Sequence, residues 1–323
     1  MNILVTGANG YIGRELARRL CAMPAVPGYG AVRAITLCDL AFDAPPADPR
    51  VRCVAGSFAD PATLAAITEP APDLVFHLAC IASGRAEQEF ELGLQVNLEG
   101  SLRLLERLRQ QGHAPALVFT SSIAVFGAPL PASVDDHTPL APALSYGAHK
   151  HAMEILLADY TRRGFVRACT VRLPGIVPRP PAPNGAWSAF SSTLIRSLAA
   201  GEPCIMPVSP QATLWLMSLH CCIANLLHAA GLAAHPAGER TAWTLPALRV
   251  SVQEIVQAFD ARSNGRAGKL VRYAPEPAIE AQFGAQPPLH TPAAEAAGFR
   301  HDGSLPALLD RAAPQAPSPQ PEA

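Results

Sequence analysis

At 323 residues, with 49% hydrophobic and 16% charged residues and a net charge of −1, the chain can bury a full core but lacks the basic density of a nucleic-acid binder. Its eight cysteines form no C-x-x-C pair and no His/Cys set at zinc spacing, so they read as small buried hydrophobes of a reducing compartment, not as metal ligands. No run reaches the ~20 apolar residues a bilayer crossing requires, and the N-terminal MNILVTGANG meets glycine too early for a signal peptide, which implies a soluble, cytoplasmic protein.

Residues 2–7 (NILVTG) read as a buried strand, and 11–22 as a helix with Ile12, Leu16 and Leu20 on one face. Strands follow at 32–40 and 50–56, then a helix at 60–68 capped by Asp60 with Pro61 at its first position. A fourth strand spans 73–80, a long helix about 87–111, a fifth strand 116–122, a helix 145–163 and a sixth strand 166–174. This alternation of apolar strands with helices predicts an α/β fold, a doubly wound parallel sheet of Rossmann type, over residues 1–173. Beyond Pro174 the pattern loosens into a helix near 187–200, a strand at 213–217, a helix at 219–231, a strand at 241–245 and a helix at 251–263. Elements near 213–245 are expected to return to the main sheet, while 174–212 and 246–312 make a smaller substrate-binding lobe. The Pro/Ala-rich residues 313–323 predict a disordered tail.

VTGANGYIGREL sets Gly7, Gly10 and Gly13 between the first strand and the first helix. There the free N–H groups of a helix N-terminus, reached over backbone without side chains, suit a pyrophosphate. Asn9, Tyr11 and Ile12 complete that loop, and no G-K-[ST] makes it a P-loop. Asp39 ends the second strand, where a carboxylate accepts hydrogen bonds from ribose hydroxyls and repels a 2′-phosphate. No Arg or Lys follows it directly, so the expected cofactor is NAD rather than NADP.

FTSSIAVFG places Ser122, with Ser121 as its competitor, at the C-terminal edge of strand five, where ligands bind in such sheets. SYGAHK puts Tyr146 and Lys150 at i and i+4, on one face of the next helix. Alone, such a pair is an ordinary surface contact; after a nucleotide loop and a sheet-edge serine it reads as an acid–base device. A phenol titrates near 10, and bringing it to about 7 takes about 4 kcal/mol of phenolate stabilisation. A nearby ammonium and an oxidised nicotinamide both supply positive charge. Tyr146 then takes a hydroxyl proton while hydride leaves the same carbon. His77 reads as a strand-end core residue, and His149 and His151 as ordinary helix residues.

With T-G-x-x-G-x-x-G at 6–13, HLA at His77–Ala79, Asn97, S-x-x-V-F-G at 122–127 and Y-x-x-x-K at 146–150, the sequence resembles the extended short-chain dehydrogenase/reductase superfamily over roughly residues 1–312. The resemblance implies that Ser57 and Phe58 border the adenine, and that Leu78, Ala79, Pro174 and Ile176 border the rest of the cofactor. It implies that Lys150 also binds the nicotinamide ribose, that Ser122 holds the substrate oxygen, that Asn97 supports a relay water, and that two copies pair as a homodimer. CIASGRAEQEFELG and LWLM look closest to the D-erythronate dehydrogenase family, which oxidises a four-carbon sugar acid at C2 with NAD⁺. That likeness implies that Ser83, Ser122, Tyr146, Arg179 and Asn184 border a small hydroxy-acid substrate, with Arg179 facing its carboxylate.

Three departures from the resembled family stand out: Ser57 replaces an Asp common at the adenine, Thr213 stands where an Arg is expected, and SLHCC, with His220, lacks the expected basic pair. Two other functions remain open. A nucleotide-sugar epimerase or dehydratase shares the architecture, although no acids follow Ser122 in the manner of dehydratases, and the arginines of the second lobe (Arg179, Arg196, Arg240, Arg249, Arg262, Arg266) lack a diphosphate-binding arrangement. A non-catalytic NAD-binding sensor is opposed by the presence of both Tyr146 and Lys150.

Overall fold

The computed structural model describes residues 1–181, 189–235, 238 and 240–312. Strand β1 (Asn2–Thr6) belongs to a seven-stranded sheet with β2 (Ala34–Asp39), β3 (Val51–Ala55), β4 (Leu74–His77), β5 (Ala116–Ser122) and β6 (Arg167–Leu173). The short strand at Ala242–Thr244 completes it, and every pairing is parallel, in the order 242–244, β6, β5, β4, β1, β2, β3. This is the doubly wound sheet expected from the alternating apolar strands, and its order reverses beside β1. On one face, α1 (Tyr11–Cys21) and the helix Leu219–Ala234 cover Ile3, Val5, Phe76 and Val118. On the other face, α2 (Pro61–Ile67), α3 (Ser101–Gln111) and α4 (Ser145–Arg162) cover Leu4, Val75, Leu117 and Phe119.

A second core, around Leu194, Met206, Leu214, Leu216 and Ile255, belongs to the smaller lobe. There Thr213–Ser218 pairs with Gly175–Val177 in parallel and with Leu248–Ser251 antiparallel. Of the elements near 213–245 expected to return to the main sheet, the strand at 213–218 therefore does not. It follows the chain leaving β6 through Gly175, and only the helix and strand after it go back. The tail at 313–323 lies outside the described residues.

Two local expectations change. The helix drawn over 87–111 is broken into Ser83–Gln88, Phe90–Leu94, a π-helical turn at Gln95–Gly100, and α3. The widened turn sits where Gly100 presses against the 58–59 loop; a Cβ there would come within 2.8 Å of Ala59 Cβ. Asp60 precedes Pro61 at the start of α2, but its side chain makes no capping bond.

His77 ends β4 inside the core at 2% exposure. Its ring exchanges hydrogen bonds with the hydroxyls of Thr6 (2.7 Å) and Ser101 (2.8 Å) and packs against Phe58 and Phe119. Burial first, and the Lys150 charge second, push it down to about 3. An unfolded histidine binds its proton near pH 6.5, so between those values the unfolded chain holds a proton that the folded chain refuses. Stability is complete above about 6.5 and falls as the pH drops toward 3, by roughly 5 kcal/mol over the whole window. Urea midpoints of the protein should therefore fall steeply below pH ~6, and His77→Gln should flatten that slope. An unchanged slope in the variant would refute this origin.

Candidate active site

The C-terminal ends of β1, β4 and β5 and the chain after β6 open into one cleft of about 330 Å³ beneath the smaller lobe. The glycine loop forms its floor. Gly7 takes a left-handed φ of +70°, and a Cβ on it would meet Ala79 N at 2.7 Å. A Cβ on Gly13 would lie 2.1 Å from the Gly7 carbonyl oxygen, so the helix start and the turn close only without side chains. Asp39 binds this loop from β2, its carboxylate accepting from Asn9 N at 2.8 Å and from Leu40 N at 2.7 Å. Gly56 N donates to the Asp39 carbonyl at 2.9 Å, which brings Ser57 and Phe58 alongside. Phe58 is buried against His77, while the Ser57 hydroxyl accepts from Ala59 N. A dinucleotide's pyrophosphate, ribose and adenine fit this cradle in that order: bare backbone, then a carboxylate, then the loop after β3.

Gly7, Gly10, Tyr11, Ile12, Gly13, Leu78, Pro174 and Ile176 line the cleft together with Ser83, Ser122, Tyr146 and Arg179. Lys150 lies behind Tyr146, 2% exposed, its ammonium donating to Thr120 O at 2.7 Å and standing 5.6 Å from the Tyr146 ring centre. Gly147 lets α4 close on the turn after β5, since a Cβ there would meet Ala124 O at 2.5 Å. The carboxylate of Glu87 accepts from Ser145 N at the helix start, a favourable position for negative charge. These contacts set Tyr146 and Ser122 in the same cleft wall, the Ser122 hydroxyl accepting from Ala124 N at 3.1 Å. Ser121 is committed elsewhere, donating to Glu154 at 2.5 Å.

Desolvation pushes the Tyr146 phenol well above its ordinary value, and Cys80 acts in the same direction. The Arg179 charge and the neighbouring Ser122 hydroxyl pull it back down. Burial also lowers Lys150, while Cys80 and Glu154 act to raise it. Asn97, in the π-helical turn, spends its amide on Ile81, accepting from Ile81 N (2.7 Å) and donating to Ile81 O (3.0 Å). It thus pins the chain that carries Cys80 and Ser83 into the cleft. The backbone of Arg179 is held by Ser192 Oγ on its N–H (3.0 Å) and by the Arg196 guanidinium on its carbonyl. Asn184 lies outside the described residues.

Sequence reasoning missed several cleft residues. Cys80 follows the HLA motif directly and was read as one more buried thiol, yet it is exposed in the cleft. Trp215, Gln282, Phe283 and Gln286 enter from the smaller lobe, where no periodicity marked them. Among the described lining residues Arg179 is the only charged side chain. Among the described residues no group of His, Cys, Asp and Glu could hold a metal, and no helix is long and apolar enough to cross a membrane.

Residues 3–213 match the model of the NAD dependent epimerase/dehydratase family. The chain belongs to this family. It is an enzyme of the extended short-chain dehydrogenase/reductase superfamily. It is 39% identical over 309 residues to D-erythronate dehydrogenase of Cupriavidus necator, covering 94% of this chain and 95% of that protein. It is 36% identical to D-erythronate dehydrogenase of Haemophilus influenzae, over 79% of this chain and 80% of that protein. Among solved structures it resembles a nucleoside-diphosphate-sugar epimerase from Agrobacterium tumefaciens, with TM-score 0.89, 34% identity, and 96% and 92% of the two chains covered.

The glycine cradle yields a direct test. Gly13→Ala puts a methyl group 2.1 Å from the Gly7 carbonyl. A fluorescence titration should give an NADH Kd at least roughly tenfold weaker, with far-UV dichroism unchanged. Wild-type affinity in the variant would remove the loop from cofactor binding.

Proposed function

We propose that the protein oxidises the C2 hydroxyl of a small sugar acid such as D-erythronate to the 2-oxo acid with NAD⁺. The observation that carries this reading is the charge of the cleft: Arg179 is the one charged side chain among the described lining residues, and it lies close enough to Tyr146 to lower the phenol. One guanidinium matches one carboxylate bidentately. A nucleoside diphosphate sugar carries two phosphate charges and a base, and would need more cations than the described cleft offers. Both D-erythronate dehydrogenases covering most of the chain support the acid reading. The epimerase likeness supports the shared fold and cofactor chemistry.

When bound, the oxidised nicotinamide supplies a hydride acceptor and a positive ring beside Tyr146. The chain's own residues do the rest. Ser122 holds the C2 oxygen through its hydroxyl, and Tyr146 takes the C2–OH proton onto its phenolate oxygen as the C2–H bond gives up its electron pair. Lys150 keeps an ammonium beneath the ring and, through its remaining N–H groups, holds the nicotinamide ribose. Arg179 fixes the carboxylate next to C2, so that only one carbon faces the phenol. Asp39 and the Gly7–Gly13 loop hold the other end of the dinucleotide, and the Asp39 carboxylate selects NAD over NADP by repelling a 2′-phosphate.

Reduced-nicotinamide absorbance during incubation with NAD⁺ and D-erythronate tests the proposal, with L-threonate, D-threonate and a UDP-sugar in parallel. D-erythronate should be turned over, and Tyr146→Phe should lose about 10³-fold in kcat. Turnover of the UDP-sugar alone would establish the epimerase instead.

The raised phenol carries a pH signature. Because the base must be deprotonated, kcat/KM should climb with pH into the alkaline range. Arg179→Met removes a charge that lowers Tyr146, so its rising limb should move to higher pH while KM for the acid increases. A limb that stays in place would separate Arg179 from Tyr146.

A further inference from the structure

We infer that Asp43 is a cofactor-specificity residue: it holds Arg14, the cation placed to receive a 2′-phosphate, in an ion pair and so reserves the site for NAD. The inference rests on the reading that Asp39 receives the adenosine ribose, and it adds a second acid and a neutralised cation to that reading.

Arg14 reaches the ribose end of the cradle from α1. Its Nε donates to Asn9 O at 2.7 Å, and Asn9 N donates to the Asp39 carboxylate at 2.8 Å. Guanidinium and carboxylate therefore stand on either side of one residue of the glycine loop. The sequence hides this, because Arg14 comes before Asp39 and the first cation after Asp39 is Arg50. Arg50 is engaged elsewhere, on the Asp48 carboxylate and on the carbonyls of Cys21 and Met23.

Asp43 completes the arrangement from the loop after β2. Phe42 packs against the core that α1 covers, and Asp43 accepts from Arg14 Nη2 at 2.5 Å. Loop and helix thus meet across an exposed ion pair. Such a pair contributes little to stability. Its consequence is electrostatic: the guanidinium beside Asp39 is already matched by a carboxylate. A 2′-phosphate entering there meets Asp39 directly, and the cation that would offset the repulsion is cancelled by Asp43. A ribose hydroxyl carries no charge and is indifferent to the pair. Two acids therefore oppose the same phosphate, one at the ribose and one through Arg14.

Fluorescence titrations with NADH and NADPH at low ionic strength provide the test. Asp39→Ser removes the direct repulsion and brings NADPH binding into a measurable range. Adding Asp43→Asn should tighten NADPH about fivefold further, with the NADH Kd within about twofold, and raised salt should shrink the gain. Adding Arg14→Met as well should abolish it, because Asp43→Asn acts by freeing the guanidinium. Both Kd values come from one preparation, so a partly unfolded variant leaves their ratio unchanged.

An equal gain with and without Arg14 would mean plain loss of a negative charge and overturns the role of the pair. No gain in either background overturns the role of Asp43. The ribose reading fails separately: wild-type protein that binds NADPH as tightly as NADH, or Asp39→Ser with the wild-type ratio, overturns it, and this inference with it, before Asp43 is changed.

Discussion

A lysine ammonium inside the protein is the constraint around which the site is built. Lys150 is 2% exposed, and taking its charge out of water costs several kcal/mol unless the surroundings replace the lost hydration. They do so from two elements. The last turns of β5 supply the Thr120 carbonyl at 2.7 Å and the Phe119 ring at 4.6 Å, and α4 supplies Tyr146 one turn earlier and Glu154 one turn later. The cation therefore ties the end of β5 to one face of α4 in a single register. Sliding either element by one residue would leave a buried charge without partners.

That register decides which side chains reach the cleft. Strand alternation sends Ser121 and Ser122 to opposite sides. Ser121 turns to Glu154, whose carboxylate also pairs with Arg172 at 2.7 Å with both groups largely buried. Arg172 comes from β6, so the polar network behind the site joins β5, β6 and α4, three neighbours in the fold. Ser122 is left to Tyr146 and the cleft. The choice between the two serines follows from where Glu154 stands, two turns beyond Tyr146 on the same helical face.

Residues with regular spacing were legible in the sequence. Gly7, Gly10 and Gly13 mark a turn that only bare backbone can close, and Tyr146 and Lys150 share a face because helices repeat every 3.6 residues. The parallel sheet followed from apolar runs too continuous for a half-exposed strand. What stayed hidden has no period. The π-helical turn at 95–100 ends on Gly100, which lies close against Ala59, and nothing in QVNLEG announces it. The strand at 213–218 reads like any apolar strand, and its place in the smaller lobe depends on pairing with Gly175–Val177 and Leu248–Ser251. Cys80 looked buried because it closes an apolar run, yet strand β4 has already ended at His77 and the thiol opens into the cleft.

The same division separates chemistry from specificity. Groups proposed to move the proton and hold the dinucleotide sit at strand ends and on α4, where backbone hydrogen bonding and core packing leave little freedom. The group proposed to face the substrate's carboxylate, Arg179, stands on an irregular segment held by a few side-chain bonds, from Ser192 and Arg196. The chain is 39% identical to a D-erythronate dehydrogenase and superimposes on a nucleoside-diphosphate-sugar epimerase with a TM-score of 0.89. The fold is common to both. In this chain the charge lining the cleft is, among the described residues, a single arginine, and the proposed acid reading rests on it.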